Sequence, residues 1–476
     1  MTARKIIPGV TVLLALSAAN PASAGRWNYS DNTLDNGLRV IVMEDHSSPI
    51  AAVQVWYHVG SKDEKPDRTG FAHMFEHMMF RGTDRIGPED HFKYLRRFGG
   101  IVNGYTQFDQ TVYIQEVPSN QIDLTFWLEA ERMANLKINQ EFFDTERNVV
   151  KEEYRRGVTD PPYGTIPDRV LPFVFTKHPY AWTPIGNLDH LSAASVQELQ
   201  DFFDTYYVPN NATLVVVGDV TASEILAKAK RYFGWIERSP APPRVNVVEP
   251  PVTEPRRLEL GEPKGPLAVV ALGYRVMQAN NADRHALAVL DYVLSSGESG
   301  RVYKKLVKDL QIAMFALSGT FLLEQDGIWV MAAVVKMGKS PEEVEAALSQ
   351  ELERVLAEGI TEDELQKARN QIGAQAVLEQ TTVSGKARRL GYCAVVIDDI
   401  DQVNKEYDDL MSVTRDDVLR VARNYLKPNA RMTLLIKPES WASKALDWLG
   451  GGSKKKKDDT PESDKTQGDT NAPKKQ

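Results

Sequence analysis

Hydrophobic and polar positions follow the same plan twice along this chain. The run AAVQVWYHVG at 51–60 is almost continuously apolar and ends in glycine, the mark of a buried strand. After it, apolar residues recur at helical spacing over 70–80. A second apolar run, LAVVALGYRV at 267–276, is followed by another helical pattern near 284–295. Later in each block an amphipathic helix leads into a tyrosine, a Pro-Asn pair and a β-branched strand. Tyr206, Pro209 and Asn210 match Tyr425, Pro428 and Asn429 at an offset of 219 residues. One supersecondary plan used twice, with strands in blocks between helices of 10 to 18 residues, predicts an α+β protein. Each half reads as a sheet packed with helices.

Length supports the division, because 476 residues exceed what one growing core usually holds. The break falls at 236–256, where six prolines and no amphipathic period read as an extended linker. The predicted units are therefore 25–235 and 257–447. Residues 1–24 differ from both. Arg4 and Lys5 precede an apolar stretch from Ile6 to Ala19, and Ala22-Ser23-Ala24 forms an A-x-A site, which reads as a cleavable signal peptide. Residues 448–476, rich in lysine and poor in apolar side chains, read as a disordered tail. Cys393 is the only cysteine, so the fold must rest on its core, which suits a bacterial periplasm better than a eukaryotic secretory route. A net charge of -8 without a basic patch argues against nucleic acid as the main partner, and no later segment is apolar enough to predict a membrane span.

The candidate chemistry sits in GFAHMFEHMMFRG at 70–82. Positions i, i+3 and i+4 of a helix share a face, so His73, Glu76 and His77 project together from an otherwise greasy segment. Asp67 or Thr69 stands where an N-cap is needed, and Gly82 fits C′. Two imidazoles one turn apart suit a tetrahedral zinc ion, and a carboxylate beside them suits proton transfer from water. The competing reading is a pair of histidines hydrogen-bonded to carbonyls. With only 8 histidines in the chain, this spacing is improbable by accident. Two histidines leave a metal short of a ligand. A helix over 139–157 has an apolar stripe of Phe142, Phe143, Val149 and Val150 that also holds Glu146 and Glu153. Carboxylates on a core-facing stripe are costly unless something positive meets them. Glu152 lies further round and is the weaker candidate.

H-x-x-E-H is the inverted zincin pattern. With LDNGLRVIV at 34–42, the ERNVVKEE segment and YYVPNNATLVVVGDV at 206–220, the chain resembles the pitrilysin/insulinase family of zinc metallopeptidases, which includes the mitochondrial processing peptidases. The resemblance covers most of the mature chain. It implies two homologous domains, each a mostly antiparallel sheet with helices, forming a clamshell. It implies one zinc ion held by His73, His77 and Glu153, with Glu146 orienting the site and Glu76 as general base. It further implies that GGIVNGYTQFDQTVYIQEVP at 99–118 contains an edge strand that pairs with extended peptide. Asn103, Gly104 and Tyr105 stand where the family usually shows Asn-Ala, so glycine is a departure. An ordinary hairpin without a substrate role is the alternative.

The second half departs further. Ala288, Asp291 and Tyr292 align with His73, Glu76 and His77, so it has no metal site. The family completes its site with an arginine and a tyrosine seven residues apart. Within GRVYKKLVKDLQIAMF at 300–315, those positions are Val307 and Met314, with Arg301 and Tyr303 nearby as possible substitutes. The expectation is a periplasmic zinc endopeptidase subunit, cleaving peptides or unfolded segments, that needs a homologous Arg/Tyr-bearing partner in a heterodimer. Two rivals are a catalytically silent scaffold of the same fold and a two-lobed periplasmic binding protein. The latter explains the repeat but not the metal constellation. The same ligands would also accept other divalent metals.

Overall fold

The computed structural model describes residues 26–439. The segments expected to be a signal peptide and a tail, and the last residues of the expected second unit, lie outside the described residues. The first sheet contains β1 (Ser30–Thr33), β2 (Arg39–Glu44), β3 (Ile50–Tyr57), β4 (Ile101–Thr106), β5 (Thr111–Pro118) and β6 (Ala212–Gly218), in the order β1-β2-β6-β3-β5-β4. The second contains β7 (Arg256–Glu262), β8 (Val269–Val276), β9 (Ala313–Leu322), β10 (Gly327–Val335) and β11 (Met432–Pro438), in the order β7-β11-β8-β10-β9. Apart from β1 the two orders are the same. Each sheet has one parallel pair, β2 with β6 and β7 with β11, and is otherwise antiparallel. This is the two-domain α+β arrangement the sequence predicts.

The apolar run at 51–60 is unbroken because β3 is buried on both faces. Ala51, Val53, Val55 and Tyr57 meet the first half's own helices, among them Phe71–Met78. Ala52 and Trp56 face the other way, with Ile41, Val215 and Val217. That second face is covered by a helix from the other half, Val383–Val395, through Val383, Ala387, Leu390, Ala394 and Val395. Contact is so close at Gly391 that a Cβ there would lie 2.2 Å from Trp56 Cε2. The exchange is mutual. Helix Ile166–Val174, which the 219-residue offset makes the counterpart of Val383–Val395, packs with Phe175 and Tyr180 against Met432 and Ile328 of the second sheet.

The halves are fastened elsewhere too. Residues 237–255 carry no helix or strand, but they are strapped down. The Glu249 carboxylate accepts from the backbone N–H groups of Thr176, Lys177 and His178, each at 2.7 Å. Lys62 is only 1% exposed and donates to Asp109 at 2.9 Å and to Glu324 in the β9–β10 turn.

Candidate metal centre

Helix Phe71–Met78 buries Phe71, Met74, Phe75 and Met78, leaving His73, Glu76 and His77 half-buried on the opposite face. Neither Asp67 nor Thr69 caps it. Gly70, at φ 96°, occupies the N-cap position, and the buried Glu64 carboxylate accepts from the N–H groups of Gly70 (2.9 Å) and Ala72 (2.8 Å). Thr69 instead pairs its hydroxyl with His190. The helix ends at Met78, so Gly82 is not C′. It serves the following turn, where its φ of 96° and a Cβ-to-Ile86 O distance of 2.2 Å exclude a side chain.

Helix Gln140–Tyr154, capped by the Asn139 side chain, packs against the histidine helix and brings Glu153 to it. Glu153 Oε2 lies 3.3 Å from His77 Nε2 and 3.7 Å from His73 Nε2, and one ligand atom from each residue falls within 4.8 Å of the others. Two atoms bound to one zinc ion at tetrahedral angles stand roughly 3.3 Å apart, so this donor set fits the metal. Glu152 points elsewhere, with its carboxylate committed to Arg155 and Arg156.

Glu146 is 2% exposed and lies 3.0 Å from His77 Nδ1, which fixes the ring so that Nε2 faces Glu153. Its other oxygen accepts from Arg81. Burial works to raise the Glu146 pKa, but the His77 hydrogen bond and the Arg81 charge together hold it below the usual carboxylate range. Arg81 was not singled out from sequence, although it lies four residues after His77. Burial, helped by His77, lowers the His73 pKa to about 3, so its imidazole is neutral. His77 goes the other way: burial is outweighed by the Glu146 hydrogen bond and the charges of Glu153, Glu146 and Glu76.

Glu76 is raised above its ordinary pKa by burial, and Thr106 at the end of β4 donates to its Oε2 at 2.9 Å. Thr106 is a second residue the sequence reading missed. β4 is an edge strand whose outer ladder is unpaired within the described residues. Side chains alternate along it. Gly104 and Thr106 lie on the Glu76 face, where a Cβ at 104 would come 3.2 Å from Glu76 Cγ. Asn103 and Tyr105 belong to the opposite face, and Tyr105 packs edge-on to Trp56 with ring centroids 6.3 Å apart. Only Gly104 of the three predicted substrate residues is thus brought next to Glu76.

Residues 39–177 match the insulinase (peptidase family M16) profile, and residues 193–372 match the peptidase M16 inactive domain. Zinc protease PqqE of Helicobacter pylori is 30% identical over 436 residues, which are 90% of this chain and 97% of that one. The chain belongs to peptidase family M16. A crystal structure of an H. pylori protease, 29% identical, superposes with a TM-score of 0.83 over 87% of this chain and 100% of the other. A probable mitochondrial-processing peptidase subunit beta of Arabidopsis thaliana is 25% identical over 75% of this chain and 69% of its own length.

The second half of this M16 chain keeps the geometry of the site without its donors. Helix Arg284–Ser295 packs on helix Glu362–Glu379 as the histidine helix packs on its carboxylate partner. Ala288 and Tyr292 replace the histidines at an offset of 215, and the offset of 219 places Leu365 and Ile372 opposite Glu146 and Glu153. Asp291 remains, accepting from Trp329 Nε1 at 2.7 Å and from Thr320, an arrangement that mirrors Glu76 and Thr106. Val307 packs against the second core, Met314 is exposed on β9, and Arg301 is held by Glu364 through two bonds of 2.7 Å.

Proposed function

We propose that this chain is the zinc-bearing subunit of a periplasmic endopeptidase that hydrolyses peptides or unfolded segments. The observation that supports it most is the convergence of two imidazole nitrogens and one carboxylate oxygen beside a half-buried glutamate held by a threonine. His73, His77 and Glu153 would hold the ion. When bound there, zinc acidifies water and polarises a carbonyl. Glu76 takes a proton from the attacking water and delivers it to the leaving amine. Its raised pKa keeps it able to change protonation state, and Thr106 fixes which oxygen faces the reaction. Glu146 and Arg81 hold His77 in one tautomer. An extended peptide pairs with the free edge of β4, which sets the scissile bond against Glu76 through backbone hydrogen bonds.

Val307 and Met314 offer no polar group to an oxyanion, and Arg301 is committed to Glu364. A homologous subunit bearing the arginine and tyrosine therefore completes the site. The A-x-A sequence before Gly25 supports export. The test is metal content and hydrolysis of the purified chain, alone and with a partner, against the Glu76→Gln variant. About one zinc per chain in both forms, with hydrolysis lost only in the variant, is expected. Equal hydrolysis in both forms sinks the general-base role; none under any condition favours the silent scaffold. Full activity of the single chain, undiminished on dilution, removes the partner.

A further inference from the structure

A cavity of about 850 Å³ lies between the halves, on the face of the first sheet opposite the metal centre. Its walls include Trp56 and Tyr105 from the first half and Ala288, Tyr292, Ile372 and Arg388 from the second. Ala288, Tyr292 and Ile372 are the counterparts of His73, His77 and Glu153. Where the first half gathers metal donors, the second has a short side chain, a phenol and an aliphatic one, and the space between them is open.

The position of this hollow follows from β4. Tyr105 lies between Gly104 and Thr106, the two residues that face Glu76. A strand paired with the free edge of β4 sends successive side chains to opposite faces. Side chains directly opposite each other across a strand pair lie about 5 Å apart at Cβ. The peptide residue opposite Tyr105 thus points away from Glu76 and toward the cavity, while its neighbours point toward the metal centre. We infer that this cavity is a side-chain subsite for peptide docked on β4, and that it selects an aromatic residue one position removed from those facing Glu76. This rests on the β4 docking proposed above.

The chemistry of the walls favours an aromatic side chain over a charged one. Trp56 and Tyr105 already stand edge to face, and Tyr292 adds a third ring. Arg388 is exposed and makes no ion pair among the described residues, so its guanidinium is available to lie over a ring. Glu116 also lines the cavity, and Arg389 is neutralised by Glu406, so the walls sum to no net charge and give an acidic side chain little advantage.

The experiment uses the full chain carrying Glu76→Gln and fluorescein-labelled peptides in which Phe, Ala or Glu is scanned through each position, read by anisotropy. Cleavage of the same peptides by the unmodified chain, with any partner it requires, runs in parallel. Two cavity-filling variants, Ala288→Trp and Ile372→Trp, approach from different helices, so a folding failure in one leaves the other. One position should prefer Phe over Ala by about tenfold in binding, and either filled variant should remove that preference. A scan with no aromatic preference, or a preference that survives both filled variants, overturns the subsite. If the preference appears and is lost on filling while no peptide is cleaved, the subsite stands and the peptidase reading falls. Cleavage without preference gives the reverse. If no peptide binds, both fall.

Discussion

Replacing Glu146 by glutamine would measure how much metal affinity resides one hydrogen bond behind the ligands. Glu146 Oε2 sits 3.0 Å from His77 Nδ1 and is almost fully buried, so the bond is charge-assisted and shielded from water. Such bonds contribute about 1.5–3 kcal/mol, and partners of this kind typically change metal affinity about 10–100-fold. The substituted amide keeps the shape and an accepting oxygen but loses the charge, which places Glu146→Gln near the weaker end, about tenfold. A second effect has the same sign. Arg81, with 18% of its side chain exposed, loses its counter-charge and leaves a cation facing the site of a dication. Arg81→Met added to Glu146→Gln should therefore recover part of the loss. Zinc competition against a chromophoric chelator at neutral pH reads all of these. Glu152→Gln is the control and should bind zinc as the unmodified chain does, because its carboxylate faces Arg155 and Arg156. Unchanged affinity in Glu146→Gln, with His77→Ala abolishing binding, would refute the orienting role.

Three further outcomes follow from contacts described above. Asp291 is raised by burial to a pKa of about 6 from 3.8, so the folded state holds its proton more tightly than the unfolded chain. The Asp291 contribution to stability should fall as pH rises from about 4 to 6 and then level, so Asp291→Asn should gain up to about 3 kcal/mol over the unmodified chain above pH 6, read as the difference between their urea-denaturation profiles; a difference that does not change with pH counts against the burial argument. At position 104 an added Cβ already meets Glu76 Cγ at 3.2 Å. Gly104→Val should displace Glu76 and lower kcat on the order of 100-fold with zinc content unchanged, and hydrolysis at the original rate would contradict it. Lys62→Met leaves buried Asp109 with the Tyr180 hydroxyl but no cation, and the Glu324 carboxylate with only His58, 2.6 Å away, and should cost about 3 kcal/mol; an unshifted urea midpoint would show that Asp109 needs no buried cation.

What could be read in the sequence was local or carried by resemblance. The i, i+3, i+4 spacing of His73, Glu76 and His77 depends only on helix geometry. Glu146 and Glu153 stood out as carboxylates on an apolar stripe, and resemblance assigned their different tasks. The contacts that escaped were those made across the fold. Glu64 caps the histidine helix from an irregular segment several residues upstream, where no capping-box spacing marks it. Thr106 reaches Glu76 only because β4 lies beside the histidine helix, a register that strand alternation leaves open. The same alternation turns Asn103 and Tyr105 away from Glu76. The double burial of β3 was legible as an unbroken apolar run, but periodicity cannot say whose helix covers the second face.

That exchanged cover bears on how a peptide can enter. Withdrawing helix Val383–Val395 from the first sheet would expose Val383, Ala387, Leu390, Ala394 and Val395, with Trp56 and Ile41 beneath them. At about 25 cal/mol per Å² of apolar surface, removing several such side chains together costs on the order of 10 kcal/mol. The reciprocal packing of Ile166–Val174 adds a similar term. A stability of about 5–15 kcal/mol for a typical domain leaves no margin for that opening in each catalytic cycle. Swinging the two halves apart is therefore a poor route to the metal centre. The free edge of β4 needs no such separation, because its outer ladder is already unpaired. In the heterodimer proposed above, a second subunit closing over that edge would supply both the arginine and tyrosine and the exclusion of water, and would leave the interlocked core of this chain undisturbed.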